Sequence, residues 1–439
     1  TLVGGSGKDT LLGGAGNDVY YVSNIDQCIS DTEGIDTAYV SASFVKLPST
    51  IEKVVYQDNA QALPYWIDAL LPDEAAGLSY LNQLGPSKTY YYAFPSSLPA
   101  YYNAQSSEAA GWTGFSANQQ ARALDALSYI AGLVDLQFVQ ISDASTANTL
   151  TFANNTQNNS SGYAYYPDVT SFSGSDIFLD NSSGSRSNAL LSEGSYGALT
   201  LIHEIGHALG LEHSFASTTS NSAASDPPYL TGVEDSTAWT VMSYTTSPDQ
   251  YHLQYRPLDI AALQYLYGPS KTARTGNDTY YISTSDSNFI WDSSGVDTLS
   301  AAQCGQGCTL YLTPGEWGYV GSAKSSRITD SGQVTVNFGS VIENLTGSDY
   351  ADALYGNDAD NVIIGGLGND TLEGGSGQDS LVGGAGNDRF VVVTGHKQIK
   401  GDDGIDTLVL SATTAEVLKH ADQLIYVPGK LSEVACNQA

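Results

Sequence analysis

The sequence predicts an α+β globular domain with all-β parallel β-roll modules on both sides of it in sequence. Three observations lead to this prediction: glycine-rich nonapeptide repeats near both ends, their absence between about residues 77 and 269, and a pattern of helices and strands within that central region. We expect one roll segment over residues 1–60, the globular domain over residues 61–270 and a second roll over residues 271–439.

The repeats follow the pattern G-G-x-G-x-D-x-apolar-x. Two units open the chain at Gly4 and Gly13, and five frames run without a slip from Gly347 to Val391. Glycine permits tight turns with positive φ, while the sixth-position Asp and the turn carbonyls supply the hard oxygen ligands that calcium prefers. Each short apolar strand buries one residue, so stacked units are expected to form a parallel β-helix or roll whose turns hold a ladder of ions.

Calcium is therefore expected as a structural cofactor, with several ions bound. The sixth-position carboxylates expected to ligate it are Asp9, Asp18, Asp352, Asp370, Asp379 and Asp388. The turn glycines expected to ligate it through backbone carbonyls are Gly365, Gly366, Gly368, Gly374, Gly375, Gly377, Gly383, Gly384 and Gly386. The second C-terminal frame carries Asn361 at the sixth place, which we expect to weaken its site.

A longer repeat surrounds these turns. The tripeptide G-N-D begins at Gly16, Gly276 and Gly386, and a G-x-D-T tetrapeptide follows each of them, at residues 34, 295 and 404. A roll unit with a strand extension therefore occurs once before the central region and twice after it.

The central region shows helix and strand patterns instead of repeats. Ser116 and Gln119 have the spacing of a capping box, and apolar residues follow at helical spacing from Ala121 to Val134. We therefore predict a helix there, which leads into a half-buried strand at residues 136–141, where apolar and polar residues alternate.

The composition excludes several classes of protein. The 439 residues include 47 acidic and 16 basic ones, a formal net charge of −31, so nucleic acid is not expected as a partner. A disordered acidic tail would not contain 29 Tyr and 11 Phe. No run approaches the roughly 18 apolar residues of a transmembrane helix, so no membrane span is expected.

Residues 203–213 contain the motif H-E-x-x-H-x-x-G-x-x-H. Residues four apart share a helix face, so His203 and His207 can bind one Zn²⁺. Gly210 permits a turn that brings His213 round as a third ligand. Three protein nitrogens leave an open position for water, which is typical of catalytic zinc, and Glu204 is expected to be the general base for the zinc-activated water. Half of the chain's 6 histidines lie in this motif, which disfavours an ordinary core helix.

This motif is the extended zinc signature of the metzincins. Met242, within the segment Thr240–Tyr244, resembles the Met-turn that lies beneath the metzincin zinc site. Tyr244 matches a tyrosine that lies near zinc in serralysins and astacins. The resemblance therefore implies a structural role for Met242. It implies that Tyr244 is a catalytic residue, which stabilises the developing oxyanion, and a candidate zinc ligand.

Together with the nonapeptides, the chain resembles the serralysin family of secreted calcium-dependent endopeptidases over about residues 77–395. The resemblance implies an α+β metzincin catalytic domain between RTX-type calcium-binding β-rolls, one catalytic zinc ion, protein or peptide substrates, extracellular localisation and a proteinaceous inhibitor as a candidate partner. It also implies a junction calcium site made by Arg274, Gly276, Asp278, Asp292, Ser294, Gly295, Asp297 and Glu343. The segment from about Ile177 is expected to be the edge strand along which a substrate lies.

The chain departs from this family after the third histidine. Ser214 stands where serralysins usually have Pro, and the loop at residues 214–229 does not match, so the substrate preference stays open. A competing interpretation is a calcium-dependent adhesin or surface-binding RTX protein with a vestigial protease site. The presence of both Glu204 and Tyr244 favours the secreted zinc endopeptidase.

Overall fold

The computed structural model describes residues 1–158, 160–182, 186–216, 225–247, 251–392, 396–410, 425–427 and 430–436. The chain forms two compact units, Thr1–Ser270 and Lys271–Ala439. The first unit includes the N-terminal repeats as well as the central region. The division of the chain into three modules at residues 60 and 270 stays a prediction.

Parallel strands form the start of the first unit. They are β1 (Leu2–Val3), β2 (Thr10–Leu12), β3 (Val19–Val22), β4 (Cys28–Ser30), β5 (Thr37–Val40) and β6 (Lys53–Tyr56). They pair in the orders β1-β3-β5-β6 and β2-β4, and Val19 pairs with Thr37, two nonapeptides further along the chain. Tyr20 and Val22 from one sheet share a core with Leu11 and Ile29 from the other.

The rest of the first unit combines helices with a mixed sheet. Its helices are α1 (Tyr65–Asp68), α2 (Ser79–Leu84), α3 (Ala117–Ala131), α4 (Arg186–Leu190), α5 (Tyr196–Ala208) and α6 (Pro257–Tyr267), with 3₁₀ helices at Asp73–Leu78 and Ser107–Ala109. Its strands are β7 (Thr89–Ala93), β8 (Thr113–Gly114), β9 (Gln137–Gln140), β10 (Thr149–Asn155), β11 (Gly162–Ala164) and β12 (Ile177–Asp180). The sheet has the order β11-β12-β10-β7-β9, and β8 also pairs with β10.

The helix and strand expected in the central region are both confirmed. Helix α3 begins after Ser116, whose hydroxyl accepts a hydrogen bond from the Gln119 amide while the Gln119 side chain accepts one from the Ser116 amide. The capping box thus satisfies two backbone donors that the first turn of a helix leaves free. The expected strand is β9, which pairs with β7 in parallel, but it is mostly exposed and not half-buried, because β9 lies at the edge of the sheet.

Helix α5, which carries the zinc motif, is buried on all sides. Every residue from Gly197 to Ala208 is buried, and the helix packs against β11 and β12. A helix that is mostly apolar around its whole circumference belongs in a core. Packing on all sides gives the motif histidines fixed positions.

The expectation that the segment from Ile177 forms an edge strand is wrong. This segment is β12, which lies between β10 and β11. The preceding chain folds back at Gly162–Ala164, and the resulting β11 pairs antiparallel with β12 and covers its open side. The edge strand next to α5 is therefore β11.

The second unit contains two long sheets. Its strands are β13 (Thr279–Tyr281), β14 (Asn288–Ile290), β15 (Thr298–Ser300), β16 (Cys308–Tyr311), β17 (Gly318–Val320), β18 (Gln333–Val336), β19 (Asn344–Thr346), β20 (Ala353–Asn357), β21 (Val362–Leu367), β22 (Thr371–Gly375), β23 (Gln378–Ala385), β24 (Arg389–Val392), β25 (His396–Asp403), β26 (Ile405–Leu410), β27 (Ile425–Val427) and β28 (Lys430–Cys436). The orders are β13-β15-β19-β21-β23-β25-β27 and β14-β18-β17-β16-β20-β22-β24-β26-β28. Strand β17 runs antiparallel to its neighbours, and the strands of successive nonapeptides alternate between the two sheets.

One apolar side chain per nonapeptide fills the core of this unit. The buried series, at nine-residue intervals, is Leu345, Leu354, Ile363, Leu372, Leu381, Phe390, Ile399 and Leu408. These features confirm the predicted fold class, an α+β domain with parallel β-roll modules on both sides of it in sequence. Within the part of the chain that the structure describes, no helix is long and apolar enough to cross a bilayer.

Ile363 and Ile364 provide a matched pair of substitutions for testing the roll core. Ile363 is fully buried, whereas Ile364 is 40% exposed. We expect Ile363→Ala to lower the free energy of unfolding by about 2–5 kcal/mol, because it leaves a cavity between packed strands. Ile364→Ala should lower it by less than about 1 kcal/mol. Denaturant unfolding of the full chain in calcium measures both values, and equal losses would contradict the inward placement of Ile363.

Candidate functional site

Three histidines meet at the C-terminal end of α5. His203 and His207 lie one turn apart on the helix, which ends shortly after His207. Gly210 then adopts a φ of 100°, a backbone conformation that favours glycine. The resulting reversal brings the ring centroid of His213 to 4.6 Å from that of His207 and 5.3 Å from that of His203.

The ring orientations suit these histidines to bind one cation. The Nδ1 atoms of His203 and His207 lie 2.6 Å from Val241 O and 2.7 Å from Leu211 O, so each ring can donate from Nδ1 and keep the Nε2 lone pair free. The Nε2 atoms of His207 and His213 are 3.1 Å apart, and ligand atoms of all three rings lie within 4.8 Å of one another.

The protonation of the rings also fits a metal site. Burial lowers the pKa of His203 to about 4 and that of His213 to about 3, while burial and the two neighbouring histidines lower the pKa of His207 well below its usual range. The rings are therefore neutral at pH 7. Three neutral imidazoles whose nitrogens converge in this way fit one Zn²⁺ ion.

Met242 packs against the helix that carries two of these histidines. It is fully buried, and a Cβ built on Gly206 of α5 would lie 2.9 Å from the Met242 sulfur. The close approach depends on glycine at that position of the helix. The turn around Met242 therefore lies directly against the zinc-motif helix. On the basis of this contact, we propose that Met242 has the structural role expected from the sequence.

Asp259 on α6 holds the same turn in place. This fully buried carboxylate accepts hydrogen bonds from Thr240 Oγ1 at 2.6 Å and from Val241 N at 2.9 Å. The carbonyl of Val241 in turn faces His203 Nδ1. Sequence reasoning did not select Asp259 as a site residue. The available signal was an acidic residue three positions after Arg256, at the start of an apolar helix.

Glu204 lies beside the histidines and lines a cleft of about 430 Å³. Its side chain is 5% exposed, burial raises its pKa to about 8, and its Oε2 has no hydrogen-bond partner among the described residues. A Cβ built on Gly162 of β11 would lie 2.8 Å from both Cγ and Oε1 of Glu204, so glycine leaves room for this carboxylate. Sequence reasoning did not select Gly162, because no sequence pattern marks the contact between β11 and α5.

Tyr244 forms part of the wall of the same cleft. Its ring centroid lies 4.8 Å from that of His213 and 5.8 Å from that of His203, and the residue is 62% exposed. Partial burial and the nearby Glu204 raise its pKa to about 12. The phenol therefore keeps its proton at neutral pH and can donate a hydrogen bond to a substrate.

The residues expected at the junction calcium site come together in the second unit. Carboxylate oxygens of Asp278, Asp292 and Asp297 lie within 4.8 Å of one another. Glu343 Oε2 accepts from Asp297 N at 2.8 Å, while the buried Oδ2 of Asp297 has no hydrogen-bond partner among the described residues. The other expected ligands lie in the two turns that face one another here: Arg274, Gly276, Ser294 and Gly295.

Sixth-position carboxylates two frames apart are linked along the C-terminal roll. Asp388 Oδ1 accepts from Asp370 N at 2.9 Å, and Asp406 Oδ1 accepts from Asp388 N at 3.0 Å. The Oδ2 atoms of all three are buried and have no hydrogen-bond partner within the described part of the chain. Buried carboxylate oxygens that accept no hydrogen bond from the protein are suited to bind calcium. Sequence reasoning did not select Asp406, although it is the Asp of the third G-x-D-T tetrapeptide.

In two other frames, the side chain at the sixth position forms hydrogen bonds with groups of the protein. Asp352 accepts from the backbone amides of Ser348 and Cys308. The Asn361 amide donates to Glu343 O at 3.0 Å, a bond that no carboxylate could make. This arrangement supports the expected weakness of the Asn361 site.

The remaining expected calcium ligands lie in turns of the two rolls. Asp379 Oδ1 accepts from Asn361 N at 2.9 Å. The expected turn glycines lie in the stacked turns of three frames: Gly365, Gly366, Gly368, Gly374, Gly375, Gly377, Gly383, Gly384 and Gly386. In the N-terminal roll, carboxylate oxygens of Asp18, Asp31 and Asp36 lie within 4.8 Å of one another. Sequence reasoning did not select Asp31 or Asp36. Asp9, which it did select, lies outside this group.

Comparisons with known proteins match both parts of the chain. A family model described as Metallo-peptidase family M12 matches residues 96–254. A model described as RTX calcium-binding nonapeptide repeat (4 copies) matches residues 1–24, 339–372 and 355–390. These matches confirm zinc and calcium as the predicted cofactors.

Similar proteins include several serralysins. The chain is 34% identical over 286 residues to serralysin B of Dickeya chrysanthemi, which covers 58% of this chain and 57% of that protein. It is 34% identical over 272 residues to serralysin G of the same organism, covering 56% and 54%, and 36% identical over 188 residues to serralysin of Proteus mirabilis, covering 37% and 36%. The predicted resemblance to serralysins is confirmed, and the chain spans about half the length of the curated relatives it matches.

Removing calcium tests the carboxylate ladder. Burial and neighbouring carboxylates raise the pKa of Asp370 to about 7 in the folded protein without ions, above the value of about 3.9 in an unfolded chain. The calcium-free fold therefore binds an extra proton at Asp370, and the stability that this group contributes is present below about pH 4 and is lost as the pH rises to about 7. We expect calcium-free protein, prepared by dialysis, to lose β-sheet circular dichroism at pH 8 and to keep more of it at pH 5.

Two variants and one outcome make this test specific. Asp370→Asn removes one ladder carboxylate and should raise the calcium concentration needed for refolding, whereas Asp358→Asn, at an exposed turn position, should not. An unchanged spectrum at pH 8 after removal of calcium would refute the ladder as a calcium site.

Proposed function

We propose that this serralysin-like chain is a secreted zinc endopeptidase that hydrolyses peptide bonds in protein or peptide substrates and is stabilised by calcium. The observation that carries the proposal is one cleft that is lined by Glu204 and by His203 of the buried histidine cluster. This proximity of three histidines, a carboxyl group and a cleft supports the proposal.

Glu204 is the residue that moves the proton in this proposal. His203, His207 and His213 would hold zinc, which supplies Lewis-acid polarisation of the peptide carbonyl and lowers the pKa of water. Glu204 accepts the proton of the attacking water on a carboxylate oxygen and later gives it to the leaving amine nitrogen. Glu204 is buried, lines the cleft and has no hydrogen-bond partner at Oε2 among the described residues, so its carboxyl group can exchange a proton with a molecule in the cleft.

Tyr244 is proposed to stabilise the negative charge that develops on the substrate oxygen. Its ring stands against His213 at the side of the cleft, and its raised pKa keeps the hydroxyl protonated. A donor aimed at the developing oxyanion lowers the barrier more than it aids substrate binding. A role for Tyr244 as a zinc ligand stays a prediction.

Strand β11 is proposed to bind the backbone of the substrate. Within the described residues it pairs with β12 alone, which leaves its other edge open. Gly162 on this strand lies beside Glu204. An extended peptide that pairs with the open edge would place its scissile bond next to this carboxylate.

The same proposal includes where the protein acts and which partners it binds. Extracellular calcium modules bind calcium at about 10⁻⁴–10⁻³ M, so RTX repeats would be loaded outside the cell. Nucleic acid is not expected as a partner, because the formal net charge of the chain is −31. A proteinaceous inhibitor stays a prediction.

Glu204→Ala tests the general base. We expect casein cleavage to fall by at least about 100-fold, because a positioned proton acceptor contributes about 10²–10⁴-fold. Bound zinc and circular dichroism should stay unchanged. Glu33→Ala, at an exposed carboxylate in the N-terminal repeats, is the matched control and should keep full activity.

Two outcomes would count against this proposal. Undiminished cleavage by Glu204→Ala would overturn the mechanism. A wild-type protein that binds zinc but cleaves nothing would favour the adhesin interpretation.

Tyr244→Phe tests the oxyanion donor. The variant keeps the ring against His213 and removes the hydroxyl, so we expect kcat to fall by about 10²-fold while KM and zinc content change little. Tyr251→Phe is the control, because its ring packs on Tyr196 at the side of the cleft. A rise in KM at unchanged kcat would contradict the transition-state role.

A further inference from the structure

A buried lysine joins the N-terminal repeats to the rest of the first unit. Lys46 is 2% exposed, and its Nζ lies 2.9 Å from Asp68 Oδ1 and 3.7 Å from Asp73 Oδ1. Asp68 ends α1, and Asp73 begins the 3₁₀ helix that follows. The other carboxylate oxygen of Asp73 accepts from Ser49 N at 2.8 Å and from Ser49 Oγ at 2.7 Å. Lys46 and Ser49 therefore fix the segment at residues 68–73.

The same segment holds the residue that precedes the third histidine. Glu212 N donates to Leu70 O at 2.9 Å, and Glu212 Oε2 accepts from Asp226 N at 2.8 Å. Asp226 Oδ2 in turn accepts from Asp73 N at 2.9 Å. A continuous chain of bonds thus runs from the N-terminal repeats to Glu212, and His213 follows directly.

Lys46 supplies a positive charge to a cluster of buried or half-buried carboxylates. Its members are Asp68, Asp73, Glu212 and Asp226. Glu212 is fully buried, and its Oε1 has no hydrogen-bond partner among the described residues. Taking away the positive partner of a buried ion pair leaves an uncompensated charge, which is strongly unfavourable. The bonds that hold Glu212 therefore depend on Lys46.

A second connection runs through α6. Lys46 N donates to the hydroxyl of Tyr265 at 3.3 Å, and that hydroxyl donates to Phe44 O at 2.9 Å. Tyr265 belongs to α6, whose Asp259 holds the turn that orients His203. The N-terminal segment is thus attached to both supports of the histidine cluster.

We propose that Lys46 is a positioning residue for the third metal ligand: by fixing residues 68–73 it holds Glu212, and so fixes His213 in the site. The N-terminal repeat segment is then a working part of the metal centre and not a separate appendage. The inference rests on the proposed function, because it concerns the same metal centre.

Hydrogen exchange and zinc affinity test this inference in the full chain, with calcium present and zinc first removed by 1,10-phenanthroline. Lys46→Met keeps the side-chain length and removes the charge. We expect the Glu212 and Asp226 amides to exchange at least about tenfold faster, while amides of the second unit do not change. The Kd for Zn²⁺, measured by competition with a chromogenic chelator, should then rise by at least about tenfold.

Three further variants make the result specific. Lys53→Met makes the same change at an exposed position on β6 and should alter neither readout. The double variant Lys46→Met/Asp68→Asn also removes a carboxylate that the loss of the lysine leaves unpaired, and it should restore slow exchange at the Glu212 amide. If Lys46→Met only lowered the overall stability, the second substitution would not restore slow exchange. Ser49→Ala deletes one hydrogen bond to Asp73, keeps the lysine and should give a smaller increase at the same amides, so the test holds even if Lys46→Met does not fold.

Two results would overturn the inference. One is wild-type exchange at Glu212 in both Lys46→Met and Ser49→Ala. The other is uniform acceleration across the first unit that Asp68→Asn does not relieve. If the wild-type protein binds no zinc, the proposed function fails, and the exchange rates at Glu212 still decide the role of Lys46.

Discussion

Buried acceptor atoms that face one another are the constraint on which this structure depends. In the first unit they are imidazole nitrogens, with the Nε2 atoms of His207 and His213 only 3.1 Å apart. In the second unit they are carboxylate oxygens, such as those of Asp292 and Asp297, which lie within 4.8 Å of one another. Burying an acceptor without a partner costs free energy, and a bound cation removes that cost. The same physical requirement therefore applies to the histidine cluster of the first unit and to the carboxylates of the second.

The histidine cluster depends on parts of the chain that are far apart in sequence. Helix α5 supplies His203 and His207, the turn after it supplies His213, and the Val241 carbonyl faces His203 Nδ1. Asp259 holds that turn from α6. The connection through Lys46 adds the N-terminal repeats to the same set of supports. The N-terminal segment is thus bonded to the residues that support the histidine cluster.

Sequence reasoning succeeded where the physical signal is local. The capping box at Ser116, the nine-residue spacing of buried apolar residues and the histidine spacing on a helix each lie within a few residues of one another, so the pattern implies the structure. It failed where the deciding contact is long-range. The family resemblance implied that the segment from Ile177 is an edge strand, yet the earlier β11 pairs with its open side. Nothing near Ile177 in the sequence could show that.

The sequence by itself determined the repeat architecture, the zinc motif and the chemical types of the ligands, because these depend on residue type and short spacing. Tertiary structure alone decided which ligand atoms are left without protein donors. Asp352 and Asp370 occupy the same place in their frames, but Ser348 and Cys308 donate to the first, while one buried oxygen of the second has no such partner. It also decided that Gly162 makes room for Glu204 and that Lys46 is linked, through Asp73 and Asp226, to the residue before His213. These outcomes depend on which distant segments meet, and that is settled by packing of the whole chain.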